Sequence, residues 1–173
     1  MTSKPVVTSP RGPLRWALRL PVGLYRLRLG WLLGERFVLL RHVGRKTGQS
    51  RQTVVEVIGH DRASDTYYIV SGWGPKADWY QNLLATPHIT IQVGRRTLAV
   101  LAERVPAEEG ARIFLDYRQK HAFAARELSR ALGLDFIGAS PQELEAFAHE
   151  RLPVLALRPA AGGPASPGAR RPS

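Results

Sequence analysis

The sequence predicts an α+β fold in which an antiparallel sheet or small barrel of about six strands is flanked by helices. Three observations predict this class. Short runs of apolar and β-branched residues follow one another between residues 36 and 101, one short helical segment interrupts them, and longer helical segments come later in the chain. Strands and helices segregated in this way are typical of α+β domains. Closing the sheet into a barrel would also remove its exposed edges.

The strands are predicted from apolar runs that end at turn residues. The first two runs flank a basic, glycine-containing turn and therefore form a hairpin. A turn at 60–65 leads to the third run, which is rich in aromatic and β-branched residues. A second hairpin turns at 94–96. The predicted strands lie near residues 36–43, 51–60, 66–71, 88–93, 97–101 and 152–157.

The helices are predicted where apolar residues recur at helical spacing. A short helix follows a loop at 72–76 that contains two glycines and a proline, and the longer helices follow the fifth strand. The predicted helices occupy residues 78–85, 107–121, 123–132 and 141–149.

At 173 residues the chain is expected to form one domain with a substantial core. Residues 1–10 are polar and contain prolines, and the tail at 159–173 is rich in Ala, Gly and Pro, so both are predicted to be disordered. Residues 11–34 are predicted to form an amphipathic helical segment that Pro21 kinks or divides. The folded domain is therefore placed at residues 35–158.

The amphipathic segment at 11–34 has two interpretations. Arg15, Arg19 and Arg26 fall near one face of a helix whose other positions are largely apolar. Such a helix can pack on the protein's own core, which we favour, or lie on an anionic membrane surface as a peripheral contact. No apolar run reaches the roughly 18 residues of a transmembrane helix. We expect a cytoplasmic protein, with contact at the inner face of the membrane as the second option.

Positive charge is concentrated in the first third of the chain. Residues 1–55 carry eleven Lys or Arg residues and one acidic residue, Glu35, which amounts to +10 of the formal net charge of +11. The remaining 118 residues carry fourteen cationic and thirteen acidic side chains. A local positive field attracts an anionic partner to one region of the surface. The eleven cationic residues are Lys4, Arg11, Arg15, Arg19, Arg26, Arg28, Arg36, Arg41, Arg45, Lys46 and Arg51.

The turn at residues 44–51, called the basic turn below, reads Gly-Arg-Lys-Thr-Gly-Gln-Ser-Arg. Its glycines allow a tight turn and a close approach of the backbone to a ligand. Its cations and hydroxyl groups suit a phosphate or a carboxylate, and successive N–H groups can form an anion-binding concavity. The Walker A order of residues is absent. We interpret the turn as an anion site, with a solvated hairpin turn as the alternative.

Composition removes several other kinds of site. The chain has no cysteine, which excludes disulfides, thiolate metal sites and a cysteine nucleophile. Its five histidines show no metal-ligand spacing, so no metal site is predicted. Neither a Ser-His-Asp arrangement nor paired catalytic carboxylates are evident in the sequence.

A second cluster, at residues 71–87, reads Ser-Gly-Trp-Gly-Pro-Lys-Ala-Asp-Trp-Tyr-Gln-Asn-Leu-Leu-Ala-Thr-Pro. The ordered blocks Gly-Arg-Lys-Thr-Gly-x-x-Arg, Val-Ser-Gly-x-Gly and Asp-Trp-x-x-Asn-Leu-x-Ala-x-Pro resemble the deazaflavin-dependent nitroreductase family over residues 36 to 105. This resemblance implies a split β-barrel at residues 35–158 that binds the deazaflavin cofactor F420. It also implies that the protein is an F420-dependent oxidoreductase.

By the same resemblance, the basic turn holds the phosphate and the acidic tail of F420, and the strand that follows runs alongside the cofactor. Residues 71–74 would line the deazaflavin ring, and the N-terminus of the helix at 78–85 would receive an anion or a ring oxygen. The cofactor-binding residues implied are Arg45, Lys46, Thr47, Gly48, Arg51, Gln52, Thr53, Val54, Ser71, Gly72, Trp73, Gly74, Asp78, Trp79 and Asn82.

Four of these residues also have structural interpretations. Trp79 lies at a position that can face the core, and Asp78 precedes an apolar helical run as an N-cap would. Asn82 can cap or bridge the turn near Pro87. Ser71, at a strand end, can satisfy a backbone group.

The resemblance implies hydride transfer from reduced F420 to a small-molecule acceptor, namely a quinone, an enone or a nitro compound. Such chemistry needs little acid–base help, because the cofactor carries the reactive carbon. A proton must still reach the product. Tyr117 is the candidate donor because a phenol can donate a proton, with solvent as the alternative. Ser71 is the second candidate catalytic residue. Residues 119–128 hold fewer tyrosines than nitroreductases do, and Val54 replaces a common proline, which does not favour nitro reduction.

Two rival functions are also compatible with the sequence. Related split barrels bind FMN, although its single phosphate makes less use of the surplus of cations. A non-catalytic nucleic-acid-binding module would use the basic first third, but the interleaved aromatic residues of single-strand binders and a helix-turn-helix are not evident. The resemblance is compatible with a homodimer.

Overall fold

The computed structural model describes residues 35–160, with the side chain of Ala131 excepted. The predictions for residues 1–10 and 11–34, and for the tail from residue 161 onward, lie outside the described residues. The predicted start of the disordered tail at residue 159 is wrong, because Pro159 ends the last strand and pairs with Val100. No helix within 35–160 is both long enough and apolar enough to span a bilayer.

The described residues contain six strands that close into an antiparallel barrel. Neighbouring strands follow the order β1-β2-β3-β6-β5-β4, and β4 pairs with β1 to complete the circle. The predicted α+β class and the barrel are confirmed. The strands are β1 Phe37–Val43, β2 Ser50–Asp61, β3 Thr66–Val70, β4 His88–Val93, β5 Arg96–Arg104 and β6 Val154–Pro159.

Four α-helices accompany the barrel within the same range. They are α1 Asp78–Ala85, α2 Ala107–Lys120, α3 Ala122–Leu132 and α4 Pro141–Ala146. A short 3₁₀ helix at Gly74–Lys76 precedes α1, and a π-helical turn at Phe147–Arg151 follows α4. The start of α4 is stabilised by a capping box, in which Ser140 and Glu143 each accept a hydrogen bond from the other's backbone N–H.

The element boundaries differ from the predicted ones at β5, β6 and α4. β5 extends past the apolar run because Glu103 and Arg104 pair with β6, where Glu103 also accepts from Arg158. The closing strand begins at Val154 rather than at residue 152, because the π-helical turn takes up residues 147–151. Pairing with a distant strand set the end of β5, and the π-helical turn set the end of α4 and the start of β6. The local sequence pattern indicated neither.

Two hydrophobic cores lie on the two faces of the sheet. On β6, Leu155 and Leu157 belong to the core inside the barrel, while Val154 and Ala156 belong to the core beneath the helices. This alternation follows from the period of two in a strand. Phe114 and Phe136 fill the helical core, where their rings meet edge to face at 5.1 Å.

One end of the barrel collects the segments that the sequence singled out. β1 ends at the basic turn, and β3, antiparallel to β2, ends at the same side with residues 71–74 following. The helix α1 then covers this end, since its Tyr80 and Leu83 are buried in the core of the barrel. We call this side of the barrel the turn end.

Candidate functional site

The basic turn is held in shape by its own backbone. The N–H of Gly44 donates to the carbonyl of Gln49 at 2.8 Å, and the N–H of Gly48 donates back to the carbonyl of Gly44 at 2.8 Å. Gly48 has a φ of +66°, which favours glycine, and a Cβ at Gly44 would lie 2.9 Å from Thr47 Oγ1. The two glycines are therefore required by the conformation of the turn.

The backbone N–H groups of the basic turn do not form the anion-binding concavity that its sequence allows. Five of the six N–H groups of residues 44–49 donate to acceptors within the protein. These are the N–H groups of Gly44, Arg45, Thr47, Gly48 and Gln49. A compact turn closes its own hydrogen bonds, and an anion at this turn must be held mainly by side chains.

Arg45 fastens the basic turn to α1. Its backbone N–H and its Nη1 both donate to Oδ1 of Asn82 at 3.0 Å. The same Nη1 contacts Oδ1 of Asp78 at 3.0 Å and donates to the Asp78 carbonyl at 3.2 Å. The side chain of Arg45 is 26% exposed, and its charge is compensated by Asp78. Arg45 thus acts chiefly as an anchor, rather than as a cation free to bind a ligand.

His42 extends this network to β2. The Nδ2 of Asn82 lies 3.3 Å from His42 Nδ1, and His42 Nε2 lies 3.2 Å from Thr53 Oγ1. His42 is buried and its pKa lies below its ordinary value, mainly because burial disfavours the charged form. A hydrogen bond with the backbone of Val43 acts in the opposite direction, and the nearby charge of Arg51 lowers the pKa further. Sequence reasoning assigned His42 no role. The available signal was a histidine at an inward position of β1, two residues before the turn.

Lys46 and Arg51 are the two cations of the basic turn that remain available. Both residues are exposed, and neither has a carboxylate partner within residues 35–160. Arg51 donates from Nη2 to Oε1 of Gln49 at 3.2 Å, a neutral contact. Thr53, whose hydroxyl contacts His42, lies beside them on β2. Two uncompensated cations near a hydroxyl are a donor set suited to a phosphate or carboxylate.

The predicted residues Gln52, Thr53 and Val54 of β2 do not all lie on the same face of the strand. Thr53 points toward His42, so Gln52 and Val54 project to the opposite face of the strand. Gln52 is exposed opposite Arg41, and Val54 is partly buried opposite Leu39. Of these three residues, Thr53 is the one on the same face as His42.

The loop at residues 71–74 buries Ser71, whose predicted place beside the deazaflavin ring stays a prediction. Its side chain is fully buried, and its hydroxyl donates to the carbonyl of Gly74 at 2.7 Å. Gly74 has a φ of +74°, and a Cβ there would lie 3.1 Å from the carbonyl oxygen of Arg151. Ser71 therefore stabilises the loop, as the structural interpretation had it. Trp73 is 38% exposed and is the side chain of this loop that faces solvent, while Gly72 is partly buried.

The residues of α1 fall into two groups. Asp78 and Asn82 lie one turn apart on the face toward the basic turn, where both contact Arg45. Asp78 is the first residue of the helix and not its N-cap, which is Ala77. Trp79 packs against the core of the barrel and meets Tyr80 edge to face at 6.2 Å. Trp79 is partly buried by this packing, and its contact with the cofactor stays a prediction.

Tyr117 is also placed differently from the prediction. Its side chain is 1% exposed in the helical core, and its hydroxyl donates to Oε1 of Glu56 at 2.8 Å. Burial, followed by the nearby charge of Glu56, raises the pKa of Tyr117 well above its ordinary value. A buried phenol committed to a carboxylate is not available to protonate a substrate. Glu56 lies on β2 toward the end opposite the basic turn.

Other features of the described residues add no second constellation at the turn end. Residues 35–160 place no group of three or more His, Asp or Glu side chains where they could hold a metal ion. An open groove of about 420 Å³ runs along α3 and the loop after it, and it includes no residue of the basic turn. The turn cluster, made of His42, Arg45, Lys46, Arg51, Thr53, Asp78 and Asn82, is therefore the candidate site.

Comparison with solved structures gives distant similarity over most of the chain. A structure described as a domain-swapped dimer is 19% identical, with a TM-score of 0.50, and the match covers 85% of this chain and 100% of that one. The heme storage protein HutZ from Vibrio cholerae is 12% identical, with a TM-score of 0.50 and coverage of 81% and 92%. At these identities the similarity shows the fold alone.

A structure described as an F420-H2 dependent reductase, FDR-A, is 19% identical over 72% of this chain and 96% of that chain, with a TM-score of 0.49. No curated protein sequence matches this chain significantly.

The sequence profile of the F420H(2)-dependent quinone reductase family matches residues 23–131, which include the basic turn and the second cluster. This match covers more than half of the chain. F420 is the cofactor that the family's description names. The barrel is the split β-barrel that the resemblance implied, and this chain belongs to the F420H(2)-dependent quinone reductase family.

Proposed function

We propose that this protein binds F420 at the turn end of the barrel and transfers a hydride from the reduced cofactor to a quinone. The observation that carries the proposal is the basic turn itself: Arg45 anchors it to α1, while Lys46 and Arg51 remain without carboxylate partners among the described residues. Membership of the family supports the cofactor and the quinone as acceptor.

The side chains of the turn fit the anionic part of F420, which has a phosphodiester and a tail of glutamate carboxylates. Lys46 and Arg51 supply exposed positive charge, and the Thr53 hydroxyl supplies a neutral donor at the base of the turn. A charge-assisted hydrogen bond contributes about 1.5–3 kcal/mol when well formed. Because Lys46 and Arg51 are exposed, solvent screens them and the lower part of that range applies.

The deazaflavin, when bound, supplies the hydride, and the protein's part is to hold the ring and the acceptor and to limit the access of water. Trp73 is the exposed aromatic side chain beside the turn end that suits a planar ring. A quinone also needs a proton to become a hydroquinone. The hydroxyl groups of Ser71 and Tyr117 are buried and already donate to protein acceptors, so we propose that the proton comes from solvent.

The first experiment is a tryptophan-fluorescence titration of the purified protein with F420 and, separately, with FMN. Saturable quenching by F420, with weaker or no response to FMN, is expected. Lys46→Gln and Arg51→Gln should each weaken F420 binding about tenfold, since one screened charge-assisted contact is lost. Lys120→Gln is the matched control, because Lys120 is exposed on α2 and pairs with Asp116.

The second experiment follows the oxidation of reduced F420 in the presence of a quinone, an enone or a nitro compound. Faster turnover with the quinone supports the proposal, whereas a preference for another acceptor would keep the cofactor and replace the substrate. Tighter binding of FMN would replace the cofactor. If neither cofactor quenches the fluorescence and an oligonucleotide binds in a salt-sensitive way, the nucleic-acid alternative is favoured.

A homodimer is the assembly that we propose to test, because a structurally similar protein is described as a domain-swapped dimer. Light scattering after size exclusion, with and without F420, measures the mass directly. A monomeric mass under both conditions would remove the dimer from the proposal.

A further inference from the structure

We propose that His42 is a positioning residue for the anion site. In its neutral form it orients the Asn82 amide that holds Arg45. Protonation of the His42 ring would loosen the basic turn. The inference rests on the proposed function, because it assigns His42 a part in binding the anionic portion of F420. His42 lies outside the set of residues that the sequence motifs single out.

The hydrogen-bond chain fixes which atoms donate. Oδ1 of Asn82 receives two hydrogen bonds from Arg45, at 3.0 Å each, so this atom is the carbonyl oxygen of the amide. The other amide atom, Nδ2, must then donate to His42 Nδ1, which lies 3.3 Å away. An accepting Nδ1 carries no hydrogen, so the neutral ring carries its hydrogen on Nε2.

The same assignment determines the role of Thr53. His42 Nε2 donates to Thr53 Oγ1 at 3.2 Å, so this hydroxyl oxygen is an acceptor in that contact. Its own hydrogen remains for a further acceptor, since the hydroxyl makes no other hydrogen bond with residues 35–160. The hydroxyl of Thr53 is thereby left as a donor beside Lys46 and Arg51.

Protonation of His42 would break this chain at a defined point. Both ring nitrogens of a protonated histidine are donors, so Nδ1 would face the donor Nδ2 of Asn82. Rotating the amide would satisfy His42 but would turn Nδ2 toward the two Arg45 donors, and both Arg45 contacts with Oδ1 would be lost. In either arrangement the basic turn loses part of its attachment to α1.

The charges around His42 oppose its protonation from several elements. Arg51 on β2 lowers the pKa of His42, whereas a hydrogen bond with the backbone of Val43 raises it by less than burial lowers it. Arg45 in the turn is also cationic, and Asp78 on α1, which would favour protonation, is exposed and paired with Arg45. On β4, the other neighbour of β1, the titratable group is His88, which is exposed. Together with the burial of His42, these surroundings keep the ring neutral near physiological pH.

The expected pH dependence has a definite sign. The pKa of His42 in the folded protein lies below the ordinary value of 6.5, so the intact network is fully present above pH 6.5 and is lost as the pH falls through the folded pKa. A bound anion acts in the opposite sense, because its negative charge favours a protonated ring. We expect the broken hydrogen bonds to dominate, so that F420 binds more weakly in acid.

The first test is a long-range ¹H–¹⁵N correlation spectrum of the ¹⁵N-labelled full-length protein, recorded from about pH 5 to about pH 8 across the usual titration range of histidine. It reads the protonation of each ring nitrogen without any cofactor. The expected result is a His42 ring with hydrogen on Nε2 that titrates below pH 6.5. Hydrogen on Nδ1, or a protonated ring at neutral pH, would overturn the inference.

The second test is the dissociation constant of F420 over the same pH range for the wild type and for His42→Gln. The glutamine amide can donate and accept but does not titrate in this range. The cofactor's own ionisation is the same in both titrations. The ratio of the wild-type dissociation constant to that of His42→Gln therefore reports only the ionisation of the protein. The ratio should be within about threefold above pH 7 and should rise toward tenfold per pH unit below the folded pKa, as expected for one proton.

His88→Gln is the matched control, since it removes an exposed histidine and should follow the wild type at every pH. A ratio that stays flat with pH, or tighter binding by the wild type in acid, would overturn the role of His42 and leave the proposed function intact. Failure of the wild type to bind F420 at any pH would overturn the proposed function and this inference together.

Discussion

Replacing Asn82 by alanine removes the link between the basic turn and α1. The side chain is 5% exposed and makes three hydrogen bonds, two from Arg45 to Oδ1 and one from Nδ2 to His42. A neutral hydrogen bond contributes about 1 kcal/mol to stability and one that involves a charged group about 1.5 kcal/mol or more. The sum is about 3.5 kcal/mol, and the contact of Arg45 with Asp78, which survives, lowers the expected loss to about 2–3 kcal/mol.

Urea unfolding followed by tryptophan fluorescence measures this loss. Asn82→Ala should lower the midpoint of unfolding with little change in its slope, because the folded barrel remains. Leu84→Ala is the control, since Leu84 lies on the same helix and is 44% exposed. The affinity for F420 should fall as well, because Arg45 no longer holds the turn against α1.

Asn82→Asp keeps the acceptor for Arg45 and removes the hydrogen bond to His42. A carboxylate still accepts from Arg45, but it has no hydrogen to donate to His42, so Nδ1 of His42 would have to carry a hydrogen instead.

A loss of less than about 0.5 kcal/mol in Asn82→Ala, equal to that of an ordinary surface substitution, would refute the reasoning.

Three further predictions concern other parts of the fold. Tyr117→Phe should cost about 1 kcal/mol in urea unfolding, because the hydrogen bond to Glu56 is lost, and it should leave the rate of F420 oxidation unchanged; a large loss of rate at equal stability would return Tyr117 to catalysis. Gly48→Ala should cost about 1–2 kcal/mol through its φ of +66° alone, since a Cβ there meets no atom within 4 Å, and an unchanged unfolding midpoint would contradict this. The hydrogen bond from Arg96 lowers the pKa of Asp65 below 3.8, so the stability it contributes is present above pH 3.8 and is lost as the pH falls through the folded pKa. Asp65→Asn should therefore show a shallower loss of thermal stability in acid, and equal slopes for the two proteins would refute it.

The hairpin and the first helix were predictable from local patterns. The apolar run in β1, the turn residues after it and the apolar spacing in α1 each lie within one element, so their boundaries agree with the structure to within one residue. The cationic turn and the family resemblance likewise depend on residues that are read in order along the chain. These patterns were sufficient for the class of fold, the barrel and the cofactor.

The roles of individual polar residues were not predictable in the same way. Ser71 and Tyr117 carry hydroxyl groups that suit catalysis, and only the folded chain reveals that both are buried and already hydrogen-bonded. Arg45 has the same charge as Lys46 beside it, yet the acceptors Asn82 and Asp78 make Arg45 an anchor. A side chain's type shows what it can bond, whereas its neighbours decide whether it is free to do so.

Sequence order was enough to establish the α+β class, the strand hairpins, the concentration of charge before residue 55 and the F420 family, because periodicity, turn chemistry and charge are local properties. Tertiary structure alone decided the partners of the polar groups at the site. His42 meets an asparagine forty positions away, and Tyr117 meets a glutamate sixty-one positions away. Contacts of that separation arise only when the barrel closes and α1 covers its end, so no local pattern could have revealed them.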